Sequence, residues 1–324
     1  MNTCCIVRSG LQPCNNPPSI PMKHDGIPAL TLEPLKRAPE KVEVPSSRTP
    51  RFIEDVAAGR VELPVIPAIV QQLMNALRNP DVDSRQIAQA LARDPVLTSK
   101  VLRLANSSFF GGQRSMSSID AAVGLIGTAA LNRLIVACGV SSSFGEVPGI
   151  DLQRFWRDAR VAANAAYQLA PRVGADPDDA YLCGLLHAAG HLILCRSYPE
   201  VAHAMFTGFA PVRGVELAAI EMEAFGIDHP TVGALWAESI KFPQAVADTV
   251  GKSTRPPEEI VSALDLSLSG GCALAAAVSQ KASAEVALAA LHPGLRARFM
   301  LGNGEPDPAF AKLYRGLCEA EAPV

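Results

Sequence analysis

His187 and His191 stand four residues apart in Gly184-Leu185-Leu186-His187-Ala188-Ala189-Gly190-His191. On one continuous α-helix that spacing puts both imidazoles on the same face, where they could grip a transition metal. Two nitrogens fall short of a site, and a zinc protease of the HExxH type needs a glutamate general base where this chain has Ala188. The plainer reading is one buried and one exposed histidine on a helix crowded with Leu and Ala. We adopt it, keeping His187 as the residue to watch. His229 lies in Phe225-Gly226-Ile227-Asp228-His229-Pro230, a tight turn opening a helix. Here Asp228 or His229 reads as a cap that accepts from free backbone N–H groups rather than as a metal ligand. His203 and His292 stand in no comparable turn.

Nucleophile and phosphate motifs are absent: the sequence holds no GxSxG elbow and no GxxxxGK[ST] loop. Its 8 cysteines include no CxxC pair, and three of them (4, 5 and 14) lie in the first residues, so free thiols in a reducing cytoplasm are expected. Arg103, Asn106 and Arg114 around Gly111-Gly112 could rim an anionic ligand, but a solvated loop flank is the reading adopted. Trp156 and Trp236 sit on amphipathic stretches and read as core anchors.

These residues must be positioned by helices. Of 324 residues, 48% are hydrophobic and 19% charged, with net charge −3, a globular composition without the basic stripe that phosphate binding demands. No nucleic acid is expected as a partner. Apolar runs free of Asp, Glu, Lys and Arg, such as Leu266 to Gln280, are too short to span a bilayer, so no membrane insertion is expected, and no signal peptide is visible. Nine of the 26 prolines fall in residues 1–50, which read as a disordered tail. From Arg51 onward apolar residues recur at spacings of three and four, which predicts an all-α body.

The predicted helices follow their punctuation. Ile66 to Leu77 ends at Asn79-Pro80, Asp83 and Gln86 have capping-box spacing, Asp94-Pro95 starts a third helix, Ser117 or Ser118 caps a fourth, and Gly127 breaks it. Longer helices are expected over Leu152 to Ala170, Asp178 to Ser197, Glu200 to Phe209, Val215 to Phe225 and from His229, with a subdomain boundary near 145–150. The expected organisation is a tail over 1–50, a domain over 51–255 and a helical C-terminal extension over 256–324.

Six segments in order resemble the HDOD family, the bacterial HD-related output domains: Leu63-Pro64-Val65-Ile66-Pro67, Asp94-Pro95-Val96-Leu97, Leu102 to Ser107, Phe155-Trp156, Gly184 to His187, and Gly226 to His229 with Val232-Gly233-Ala234. The resemblance implies an all-helical bundle related to HD phosphohydrolases and a role in bacterial signalling. HD hydrolases set histidines and aspartates around metal ions that hydrolyse phosphate esters. Against that pattern this chain departs: a frequent histidine falls on Asp158, the naming doublet reads His187-Ala188, and a late histidine pair falls around Gly251-Lys252. Asp158, His187, Ala188 and His229 thus mark a degenerate site, with His191 as a weaker candidate. What this implies is a cytoplasmic, non-catalytic regulator without cofactor or bound metal, acting on a signalling protein partner. Two alternatives stand beside it. One is a hydrolase with a rearranged site built from Asp158, His187, His191 and His229. The other is a sensor of a small anion or cyclic dinucleotide served by Arg157, Arg160 and Arg196.

Overall fold

The computed structural model describes residues 51–77, 84–106, 116–208 and 214–321. The tail over 1–50, the Asn79-Pro80 stop, the Asp83 cap, the Gly111-Gly112 loop and Arg114 lie outside the described residues. Among those described, the chain is a succession of α-helices with no strand, as its periodicity predicts.

The first group comprises α1 (Phe52–Ala57), α2 (Ala68–Leu77), α3 (Ser84–Leu91), α4 (Pro95–Ala105) and α5 (Ile119–Ser142). The Asp94 carboxylate accepts from the Leu97 N–H at 2.9 Å and Pro95 occupies the first turn, so α4 begins where its cap requires. Ser118 caps α5 by accepting from the Ala121 N–H at 3.1 Å. Gly127, at φ 79° and ψ 168°, interrupts α5, a conformation that only glycine takes without strain. Asn106 closes the preceding connection by pairing with both backbone groups of Met116, at 2.6 and 2.9 Å. Its amide is thereby committed to the fold rather than to a ligand. By length and composition Gly124–Ser142 would pass for a membrane span, and half of it is buried within the protein. Arg133 interrupts this run, and its guanidinium stacks 3.9 Å from the centre of the Tyr167 ring.

The second group comprises α6 (Leu152–Val173), α7 (Pro177–Leu186), α8 (Ala189–Ser197), α9 (Pro199–Gly208), α10 (Val215–Phe225), α11 (His229–Ser239) and α12 (Gln244–Val250). Asp151 caps α6 and Asp176, followed by Pro177, caps α7. The single helix expected over Asp178 to Ser197 is a pair. Helix α7 ends at Leu186, and Ala188, at φ −114° and ψ 3°, leaves helical geometry before α8 starts. His187 and His191 therefore do not share one helical face, and the argument from their four-residue spacing fails. No proline or capping residue marks this break, so periodicity runs through it unnoticed.

The last group, α13 (Ala263–Ser279), α14 (Ala284–Ala289), α15 (Pro293–Arg296) and α16 (Pro308–Glu321), lies beyond the predicted domain. It is not peripheral. Ala162, Ala163 and Ala166 of α6 are fully buried between α7 and α13. A β-carbon on Gly184 of α7 would stand 2.5 Å from Ala163 Cα, and one on Gly271 of α13 would stand 2.6 Å from Ala162 O. Small residues thus bring three helix backbones together, and α6 is the axis of the fold. One hydrophobic cluster gathers side chains of α1 to α12 with Leu268 of α13, and a second is formed by α6 with α13 to α16.

Both tryptophans are core residues, 5% exposed at Trp156 and 0% at Trp236, as expected. The Trp236 indole donates to Pro64 O at 2.7 Å, tying the segment before α2 to α11. Phe144 links the two, 5.3 Å from Trp156 and 5.2 Å from Trp236.

Candidate functional site

The break between α7 and α8 opens one wall of a cavity of about 560 Å³. Asp158 of α6, His187 and Ala188 of the break, His191 of α8 and His229 of α11 all line it. Every position singled out in the sequence as a degenerate site therefore converges on one place. Phe155, Ile150, Leu217 and Ala275 supply its apolar surface, and Ser253 and Thr254 come in after α12.

A backbone carbonyl orients one histidine, and a single carboxylate orients the other two. His187 Nδ1 faces Gly184 O at 2.7 Å and so carries the proton. His191 Nδ1 lies 2.6 Å from Glu221 Oε1, and His229 Nδ1 lies 2.6 Å from Glu221 Oε2. The same Oε2 accepts from the His229 backbone N–H at 2.7 Å. Asp228, as expected, caps α11 by accepting from the Thr231 N–H at 3.0 Å. His229 does not act as the cap; it is 3% exposed and held by Glu221.

Glu221 is the residue that sequence reasoning missed. It is fully buried on α10, with its carboxylate at the N-terminus of α11, where the helix dipole and a free N–H favour an anion. The sequence held a signal. Glu221 takes its place in the buried stripe Ala218, Ala224 and Phe225, and an acid on an apolar face needs partners. Burial acts to raise the Glu221 pKa, but hydrogen bonds from His191 and His229 outweigh it and hold the carboxyl below its usual range. For His191 burial favours the neutral ring, yet Cys195 and Glu221 beside it hold its pKa above the ordinary value. The pair is thus an imidazolium against a carboxylate.

Close approach of α8 and α11 makes this possible. A β-carbon on Gly190 would collide with His229 O and stand 2.7 Å from Gly233 N, so glycine there is what brings the two histidines to one carboxylate. Cys195 Sγ lies 3.6 Å from His191 Nε2, but the thiol is fully buried and does not line the cavity, so it is no nucleophile for a ligand there. The described cysteines are free, and burial pushes the Cys138 thiol up to about 12.

The arginines proposed for an anion fare differently. Arg157, Arg160 and Arg196 do not line the cavity; Arg154 does, from an exposed rim. Arg157 lies 3.9 Å from Asp158, and Arg160 is held near Tyr181 and Cys138. Of the remaining histidines, His203 is exposed and His292 caps α15 by accepting from the Gly294 N–H at 3.1 Å. Among the described residues no three His, Cys, Asp or Glu side chains are placed to hold a metal ion. As placed, the donors do not fit the metal set of HD hydrolases.

The HDOD domain model matches residues 63–256. The chain belongs to the HDOD family. A solved HDOD domain protein of unknown function from Geobacter sulfurreducens superimposes with a TM-score of 0.61 at 23% identity, covering 82% of this chain and 96% of its own. A Shewanella amazonensis protein named for a proposed phosphohydrolase activity gives a TM-score of 0.63 at 27% identity, covering 83% of this chain and 96% of its own. A curated relative, an uncharacterized protein of Treponema pallidum (strain Nichols), is 25% identical over 214 residues, which cover 65% of this chain. The match spans 41% of that relative's length. Membership in the HDOD family supports a signalling-related role and accounts for the helical architecture.

Proposed function

We propose that this HDOD protein is a non-catalytic signalling regulator of the cytoplasm that acts by binding a protein partner. The observation that carries the reading is Ala188. Its methyl group occupies the cavity wall where the naming doublet of the superfamily would place a carboxylate. A hard divalent ion such as manganese favours anionic oxygen ligands, and without that carboxylate the imidazoles suit it poorly. Glu221 does not replace that carboxylate, because both its oxygens are engaged by His191 and His229. The proposal includes no cofactor, no nucleic acid and no membrane insertion, leaving a protein partner as the target.

A second reading, a metal-dependent phosphohydrolase with a rearranged site, draws on the convergence of Asp158, His187, His191 and His229 on one cavity. One experiment separates the two. The purified, tag-free protein is analysed for metal content and assayed against phosphodiester substrates with added manganese, iron or nickel. The regulator reading expects no stoichiometric metal and no turnover. Metal retained at one equivalent, turnover, and loss of both in His187→Ala would replace it with the hydrolase. With an inert protein, the partner is sought by affinity capture and verified by reconstituting the complex from purified components.

A further inference from the structure

The charges around the cavity are compensated from within the protein. Glu221 faces His191, whose ring is held in its charged form by that carboxylate, and Asp158 faces Arg157. The Asp151 carboxylate, at the rim, accepts from the Gln153 and Arg154 backbone N–H groups as the cap of α6. One polar atom on the same wall has a different standing. His229 directs its Nδ1–H to Glu221, which leaves Nε2 as a lone-pair acceptor when the ring is neutral, and Nε2 pairs with no group among the described residues. His229 is 3% exposed, and a buried acceptor left unpaired costs about 1–3 kcal/mol, so Nε2 marks a place where a partner is gained.

The rest of the wall is apolar. Ile150, Phe155, Leu217 and Ala275 offer a surface suited to a ring or a short branched chain, and about 560 Å³ is within the range of small-molecule pockets. We propose that the cavity binds a neutral organic molecule with an apolar body and one N–H or O–H group, which donates to His229 Nε2. An ionic ligand would find only Arg154 among the lining arginines and lysines, at an exposed position where water screens it. The binding event involves no bond making or breaking. It supplies an input to a protein whose output is the partner contact and so rests on the metal-free regulator reading, because a metal held by His229 would take the same lone pair; the metal analysis tests that reading and the titration below tests this one.

The test is isothermal titration of the full-length protein with three probes: indole, 1-methylindole and inorganic phosphate. Indole has a planar apolar body and one N–H, and 1-methylindole keeps the body but lacks the donor. The expected result is one-to-one binding of indole, roughly tenfold weaker binding of 1-methylindole, as for one lost hydrogen bond to a buried acceptor, and none of phosphate. Ala276→Leu, which fills the cavity from α13, should abolish binding with the circular dichroism spectrum unchanged. Should that variant fail to fold, the indole pair still decides. Equal affinity for the two indoles, no binding of indole, or binding of phosphate in its place overturns the proposal.

Discussion

Glu221 Oε2 accepts both the ring Nδ1–H and the backbone N–H of His229, at 2.6 and 2.7 Å, while Oε1 takes the ring of His191 on another helix. One carboxylate thus joins α8, α10 and the start of α11. Removing it in Glu221→Ala strands a buried imidazolium and an unmet helix N–H, and the expected loss is about 3–5 kcal/mol of folding stability. Glu221→Gln keeps an acceptor for one of the two imidazoles and should lose less, about 1–3 kcal/mol. Urea unfolding followed by circular dichroism orders the three proteins. An alanine variant as stable as the parent would show that the carboxylate is not what joins these helices.

The same pair sets a pH dependence. His191 is held above the ordinary value of 6.5, so its contribution is complete below that pH and is lost as pH rises through the folded value. Glu221 is held below the ordinary value of 4.5, so its contribution is complete above that pH and is lost as pH falls through the folded value. Their joint contribution is therefore greatest between pH 4.5 and 6.5. Stability measured in urea at pH 5.5 should exceed that at pH 9, and Glu221→Gln should reduce the difference. An unchanged difference in that variant would assign the slope to other groups.

Much of this arrangement was legible in the sequence, and the part that was not has a physical reason. Caps and prolines are local, so Asp94-Pro95, Ser118, Gly127 and Asp228 mark helix boundaries that the structure bears out. The resemblance to the HDOD family gathered Asp158, His187, Ala188 and His229, which line one cavity. The break at His187-Ala188 carries no such local mark. It follows from where α8 must sit to reach α11 through Gly190, a tertiary demand that overrides the helical preference of alanine. Glu221 escaped because its role exists only when three helices meet, although its place on an apolar stripe could have drawn notice.

Gly190 can be tested as the contact that sets this approach. In Gly190→Ala the new methyl group meets backbone, His229 O and Gly233 N, which cannot rotate away as a side chain would. Helices α8 and α11 must separate, which stretches both hydrogen bonds to Glu221. The expected cost is about 1–3 kcal/mol or more, as for overpacking at a rigid site. The ring resonances of His191 and His229 should shift in a histidine NMR spectrum, and resonances that stay in place would mean that α8 and α11 have not moved.

The C-terminal segment gives a prediction that separates sequence family from folding unit. The HDOD match ends at residue 256, yet Gly271 of α13 meets the α6 backbone, and Leu169 of α6 is buried in the cluster formed with Leu274, Leu291, Leu295 and Phe299. The cavity itself borrows Cys272, Ala275 and Ala276 from α13. Deleting residues 257–324 would expose the alanine face of α6, and each large apolar side chain returned to water costs about 1.5–3 kcal/mol, a sum beyond the stability of most domains. A chain ending at residue 256 should therefore be unfolded or aggregated, whereas one ending at residue 321 keeps every described helix and should melt as the full chain does. Thermal unfolding of both truncations checks this, and a cooperative transition in the shorter one would show that α6 does not need α13.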